Sequence, residues 1–382
     1  MNRTSIIENK LVRHDALTFD DVLLLPNYTE VKRGDVNLTT RLHPTITLKI
    51  PVVSSPMDTV TEDGMAIALA QYGGLGCIHR NLTVQAQADM VASVKHADVS
   101  NPATSAVDAH GKLLVSAAVG AGADLDERIA SLVNAGVDVI CVDSSHGYSK
   151  FIMGIVSDIK KKYPNLVLMA GNVATFDGAR AMSEAGADII RVGMGPGSIC
   201  TTRIVTGMGV PQLSAVAAAV RALDGRGTTI IADGGIRQMG DMAKALAFGA
   251  HAIMLGSMLA GYDQSPGEIV ERGEKKWKMY RGMGSVSAMK KGGAERYGQS
   301  RDTEKKKLIA EGVEGLVAYK GDVTNFLGQI DGSLKSSFYY LGAPDMETFF
   351  ATSRAIKIST AGLIESHPHE IAITDAGGNY NK

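Results

Sequence analysis

Short β-branched runs alternate with alanine-rich stretches that end in glycine, and the alternation repeats through most of the chain. Ala135-Gly136 precedes the run 137–143, Ala185-Gly186 precedes 187–193, and Phe248-Gly249 precedes 250–256. Glycine closing an amphipathic run reads as a helix C-cap, because it enters the left-handed region without a Cβ penalty. Further strand runs at 51–57, 74–79, 113–120, 166–172 and 228–235 bring the candidates to eight, with helical patterns in most intervals. Eight strand-helix units predict an α/β chain folded as a (β/α)8 TIM barrel. A doubly wound sheet would carry its glycine fingerprint after the first strand, where this chain has Asp58-Thr59-Val60-Thr61 instead.

A barrel of this kind builds its active site from loops at the C-terminal ends of its strands. Those ends read Ser54-Ser55-Pro56-Met57, Asp143-Ser144-Ser145-His146-Gly147, Gly171-Asn172, Gly195-Pro196-Gly197-Ser198-Ile199-Cys200-Thr201-Thr202-Arg203, Asp233-Gly234-Gly235 and Gly256-Ser257. The turns after the seventh and eighth strands occupy the corner where such barrels bind phosphate, and the adjoining aspartate suits a ribose diol. The sixth strand runs into a glycine-rich turn holding Cys200, where backbone N–H groups approach an anion and a thiol is open to activation as thiolate. Cys77 and Cys141 lie in apolar runs and read as inert packing.

Three widely spaced cysteines form neither a metal cluster nor a disulfide framework, which places the chain in a reducing compartment, the cytoplasm. A formal net charge of −1 argues against nucleic acid and anionic membranes as partners, and no run reaches the length of a membrane span. The N-terminus lacks the apolar core of a signal peptide. Residues 1–382 therefore read as one catalytic barrel domain. Within it, 278–315 carries glycine and charge without a sustained apolar period, the pattern of a mobile flap.

Several ordered motifs carry a resemblance. Phe19 to Pro26, Ser54 to Glu62, the Cys200 loop, Asp233 to Ile236, Tyr280 to Ser285 and Ala361 to His367 make the chain similar to the IMP dehydrogenase branch of the IMP dehydrogenase / GMP reductase family over nearly its whole length. That family usually inserts a pair of cystathionine-β-synthase repeats between the second and third barrel strands. Here only a short stretch separates His79 from Leu113, with 97–111 as a bare connection, so regulation through that module is not expected.

The resemblance implies oxidation of IMP to XMP with NAD, the entry to guanine nucleotide synthesis. Cys200 would attack the purine C2, hydride would leave for NAD, and the thioimidate on sulfur would be hydrolysed. Arg296, with Tyr297 and Thr202, would activate the water. The implied substrate contacts are Ser55, Met57, Ser198, Asp233, Gly235, Gly256, Ser257, Tyr280, Met283, Gly284 and Glu311. Asp143, Ser144, Ser145, Asn172 and Arg191 fall on the dinucleotide side. A potassium ion would be held by Gly195, Gly197 and Cys200 together with Glu365, Ser366 and His367 of a neighbouring subunit, which makes the expected assembly a homo-oligomer, in the family a tetramer. Two alternatives stay open: a GMP reductase, for which Glu295 beside Arg296 speaks, and a catalytically silent nucleotide-binding paralogue.

Overall fold

The computed structural model describes residues 15–300 and 307–374, with Lys10, Val12 and Glu304 besides. Eight parallel strands run in chain order: β1 Val52–Ser54, β2 Gly76–Ile78, β3 Val115–Val119, β4 Val139–Asp143, β5 Val167–Val173, β6 Ile189–Val192, β7 Thr229–Asp233 and β8 Ala252–Leu255. Each hydrogen-bonds its neighbours, β8 pairs with β1 (Met254 opposite Val53), and a parallel bridge between Val53 and Leu75 closes the ring at β2. The predicted TIM barrel is thus present, and each predicted strand run contains its observed strand except 166–172, which stops one residue short of Val173.

The helices after successive strands are α1 Asp63–Gln71, α2 Val84–His96, α3 Leu125–Asn134, α4 Lys150–Lys162, α5 Phe176–Glu184, α6 Gln212–Leu223, α7 Met239–Ala247 and α8 Thr324–Leu341. Their inner faces show helical spacing, as in Ile152, Val156 and Ile159 of α4 or Met239, Met242 and Leu246 of α7. These pack on alternate strand residues such as Ile140, Val142, Leu168, Ala170, Ile190 and Val192. The intervening strand residues, among them Val53, Cys77, Ala118, Cys141, Met169, Ile189, Ile231 and Met254, point inward and fill the barrel. A hairpin of Thr40–His43 and Ile46–Leu48 adds Leu42, Ile46 and Leu48 to that inner core. Its Thr40 hydroxyl donates to the His251 carbonyl at 2.7 Å, and its Leu42 carbonyl accepts from Thr229 Oγ1 at 2.7 Å.

One device recurs where helices return to strands. Asp138 accepts from the Val115 amide and pairs with Lys95 of α2, while Asp188 accepts from the Leu168 amide and pairs with Lys160 of α4. Each ties a loop to its neighbouring strand at the end of the barrel remote from the Cys200 loop.

The polar stretch after β8 is more regular than its sequence suggests. Antiparallel strands β9 Ile269–Arg272, β10 Lys275–Arg281 and β11 Glu314–Ala318 form a three-stranded sheet, and between β10 and β11 lie the helix Val286–Lys291 and the 3-10 turn Gly293–Tyr297. The sheet carries no clean apolar alternation, because in β10 Lys278 and Tyr280 take the buried positions while Met279 is exposed. After α2 the connection carries one isolated bridge, Val107 to Leu113, and no further strand or helix before β3.

Candidate active site

The strand ends of β1 and β5 to β8 meet the post-β8 excursion around a cleft of about 1100 Å³, counting its open mouth. The Cys200 loop forms one wall. It is held by main-chain pairing to a segment far along the sequence: Cys200 bridges Gly312, the Thr201 amide donates to Glu311 O at 2.9 Å, and the Val313 amide donates to Ile199 O at 3.0 Å. The Glu311 amide in turn donates to Gly284 O at 3.0 Å. Residues 283–284 and 311–312 therefore reach the cysteine because three short segments knit into one rim. Cys200 is half-buried, and its Sγ donates to Thr202 Oγ1 at 3.1 Å.

Opposite lies a cradle fit for an anion. A Cβ at Gly256 would sit 3.3 Å from Met57 Sδ, 3.3 Å from Tyr280 Oη and 3.5 Å from Ser55 Oγ, so the absence of a side chain leaves a polar hollow between them. Tyr280 is buried, and burial pushes its phenol up to about 12 while Ser198 and Ser257 hydrogen-bond it; it stays a neutral donor at any ordinary pH. Gly234 and Gly235 adopt positive φ (91° and 81°), a turn that an L side chain would strain, and pack against Pro196 and Gly197. Ser198, Gly235, Gly256, Ser257 and Tyr280 are thereby brought together from three barrel loops and β10.

Beneath the cleft a buried charged network fixes the strand ends. Arg191, fully enclosed, donates through Nη1 to Asp143 Oδ1 at 2.5 Å and to Cys141 Sγ at 3.3 Å, and through Nη2 to Asp233 Oδ2 at 2.7 Å. Asn172 Nδ2 donates to the same Asp233 oxygen at 2.8 Å and to Gly193 O at 2.9 Å. Asp143 also pairs with Arg296 of the 3-10 turn, and the Arg296 carbonyl accepts from the Ser145 amide at 3.1 Å. Tyr297 sits partly buried against Gly284, where a Cβ would come within 2.7 Å of its ring. Arg296 Nε, Asp143 Oδ2 and Asn172 Oδ1 are buried without a hydrogen-bond partner in the chain. Such orphaned groups are rare in folded proteins and mark where a ligand completes the site.

Most residues singled out from the sequence converge here. Cys200, Thr202, Arg296, Tyr297, Ser55, Met57, Ser198, Asp233, Gly235, Gly256, Ser257, Tyr280, Met283 and Glu311 line the cleft, as do Ser145, Asn172, Arg191, Gly195 and Gly197. Gly284, Asp143 and Ser144 stand behind the lining. Gly284 supports Tyr297, Asp143 anchors both arginines, and the Ser144 hydroxyl donates to Gly171 O at 2.7 Å. Glu365, Ser366 and His367 do not join them: they end the exposed helix Thr360–Glu365, which packs near Phe19–Asp21. Within one chain, the two halves of the expected cation cage stay apart.

Cys77 and Cys141 are buried in the barrel core as expected, and each also takes a polar contact there: Ser116 donates to Cys77 at 3.4 Å and Arg191 to Cys141. The hydrogen bond from Cys77 and the Arg191 charge pull the Cys141 thiol below its ordinary value, while burial pushes Cys77 up. No local motif signals this, because the contact spans the barrel interior.

The profile of the IMP dehydrogenase / GMP reductase domain matches residues 16–369. The chain belongs to the IMP dehydrogenase / GMP reductase family. Among its relatives, the inosine-5'-monophosphate dehydrogenase of Borreliella burgdorferi is 43% identical over 399 positions, 95% of this chain and 98% of that protein. The enzyme of the same name from Escherichia coli K12 is 39% identical over 97% of this chain and 99% of its own length. The one from Bacillus subtilis is 38% identical over 96% and 98%. The E. coli alignment spans 482 positions against the 382 residues here, so that relative carries a stretch this chain lacks. The Borreliella protein has nearly the length of this chain.

Proposed function

We propose that this chain oxidises IMP to XMP with NAD, using Cys200 as nucleophile. The observation that carries the reading is the joint placement, around one cleft, of a half-buried thiol beside Thr202, an anion cradle at Gly256, and the Arg296-Tyr297 pair. The cradle takes the 5'-phosphate of IMP, and Asp233, fixed by Arg191 and Asn172, accepts from the ribose hydroxyls. Met283, Gly284 and Glu311 border the purine. This directs C2 of the base at the Cys200 sulfur, which adds to it as thiolate.

NAD, when bound, accepts the hydride that leaves C2. The residues present fit it: Asp143 Oδ2 and Asn172 Oδ1 are unpartnered acceptors at the strand ends on that side, with Ser144, Ser145 and Arg191 around them. Loss of hydride leaves the purine joined to Cys200 as a thioimidate. Arg296 and Tyr297, in the position seen here, orient a water at C2, and its proton passes to the Arg296–Asp143 pair. Expulsion of the Cys200 thiolate then releases XMP. The balance is IMP, NAD⁺ and water to XMP, NADH and a proton.

The cation reading rests on the carbonyls of Gly195, Gly197 and Cys200, a type of donor that suits potassium. A single chain supplies half of that cage, so the proposal requires a second copy to bring Glu365, Ser366 and His367, consistent with a homo-oligomer, a tetramer in the family reading. Cytoplasmic residence fits a chain whose described helices include none long and apolar enough to cross a membrane.

Glu295, the residue that kept the reductase alternative open, is directed at Arg80 and does not line the cleft. The deciding test follows absorbance of the reduced nicotinamide with IMP and NAD⁺, and separately with GMP and NADPH. NADH formation in the first mixture and no consumption in the second is expected. The reverse result makes the chain a reductase, and silence in both makes it a binding protein.

A further inference from the structure

Arg80 follows β2 and belongs to no part of the site described above, yet it is a buried cation with an incomplete set of partners. Its residue exposure is 8%, and its Nε and Nη2 have no hydrogen-bond partner. The guanidinium lies flat on Gly120, where a Cβ would come within 2.5 Å of Nη1. Its remaining contacts both go to the 3-10 turn after β10: Nη1 donates to Gly292 O at 3.4 Å and stands 3.6 Å from Glu295 Oε2. The next residue lies against the segment leading into that turn: Asn81 Nδ2, held mainly by Asp58 at 2.9 Å, also reaches Ala288 O of the preceding helix at 3.5 Å, and its Oδ1 would lie 3.2 Å from a Cβ on Gly292.

From this we infer that Arg80 is a positioning residue, a latch that holds the turn Gly292–Tyr297 down so that Arg296 and Tyr297 stay in the cleft. The inference rests on the function proposed above and adds a controlling group for its second half. The latch is built to let go. It has one carboxylate partner at long range, two donors left over, and the like charge of Arg296 nearby; burial foremost, with that charge adding to it, pushes the Arg80 guanidinium down to about 10. A fully satisfied buried pair would fix the turn in place. An under-satisfied one holds the turn loosely enough for it to shift during the reaction.

Single-turnover and steady-state rates are compared for wild type, Arg80→Gln, Glu295→Gln and the double variant, with IMP and NAD⁺. Arg296 and Tyr297 serve hydrolysis and not hydride transfer in the reading above, so the burst of NADH keeps its rate within about twofold. Steady-state turnover falls roughly tenfold, the size of one hydrogen bond to a charged group, and the Cys200 adduct accumulates. Because both substitutions break one contact, the double variant is no slower than the slower single one, and Arg80→Lys recovers part of the loss. Glu295→Gln, on a side chain 43% exposed, keeps the test open if Arg80→Gln fails to fold. Burst and turnover falling together, or the two substitutions adding fully, overturns the latch. Absence of NADH from IMP in wild type overturns the proposed function instead.

Discussion

Replacing Gly256 by alanine tests the anion cradle, because the new methyl group lands inside it. The Cβ would lie 3.3 Å from both Met57 Sδ and Tyr280 Oη and 3.5 Å from Ser55 Oγ, closer than most carbon contacts but short of a clash. Gly256 does not need positive φ, so the backbone accepts the change, and the strain of overpacking is about 1 kcal/mol. The effect on an anion is larger. The methyl excludes a phosphate oxygen from the hollow and removes one hydrogen bond to a charged group, worth about 1.5–3 kcal/mol. At about 1.4 kcal/mol per tenfold, KM for IMP rises roughly 10- to 100-fold. The assay is initial-rate kinetics with IMP and with inosine, which lacks the phosphate, alongside a thermal melt. The variant should lose affinity for IMP while its kcat/KM for inosine stays within about twofold of wild type. An unchanged KM for IMP, or an equal loss for both substrates, refutes the assignment of this hollow to phosphate.

Three further outcomes follow from the same geometry. Arg191→Met removes the buried cation that Asp143 and Asp233 share, leaving Asp143 only Arg296 and Asp233 no cation, and should lower unfolding free energy by about 3 kcal/mol in chemical denaturation. Burial works to raise the Asp58 carboxyl, but hydrogen bonds from Arg281 and Asn81 outweigh it and hold it below the usual range. A lowered folded value gives stability that is present above about pH 4 and lost as pH falls through it, so the stability gap between wild type and Asp58→Asn should close on acidification below that point; a gap that is constant or widens contradicts the pairing. Activity should rise with KCl beyond any effect of matched NaCl or LiCl, whereas equal rates in all three salts remove Gly195, Gly197 and Glu365 from cation binding.

The sequence disclosed the barrel because each strand-helix unit announces itself locally. Val139 to Val142 is apolar on both faces, Ile189 to Val192 is interrupted only by Arg191, and glycines such as Gly136 and Gly186 stop the helices before them. The expected strand ends overshoot at 55–57 and 234–235, where serine, proline and glycine already belong to loops. Cys200, Asp233 and Gly256 were legible as loop residues at one rim. Arg80 and Asn81 were not: their partners, Glu295, Gly292 and Ala288, lie more than two hundred positions away, and a lone charged residue after a strand carries no periodic signal. The Cys77, Cys141 and Arg191 cluster escaped for the same reason, as inward-facing positions on three strands meet only once the barrel closes.

The measurement closest to the central claim is intact and peptide mass spectrometry of protein quenched during turnover with IMP and NAD⁺, in wild type and in Arg296→Ala. Arg296 serves hydrolysis and not hydride transfer, so the variant should release one NADH per active site and then stall. The purine nucleotide should be found on the peptide that contains Cys200, at higher occupancy than in wild type. NADH production that continues without any adduct on that peptide, or that persists at the wild-type rate in Cys200→Ser, would contradict covalent catalysis by this cysteine.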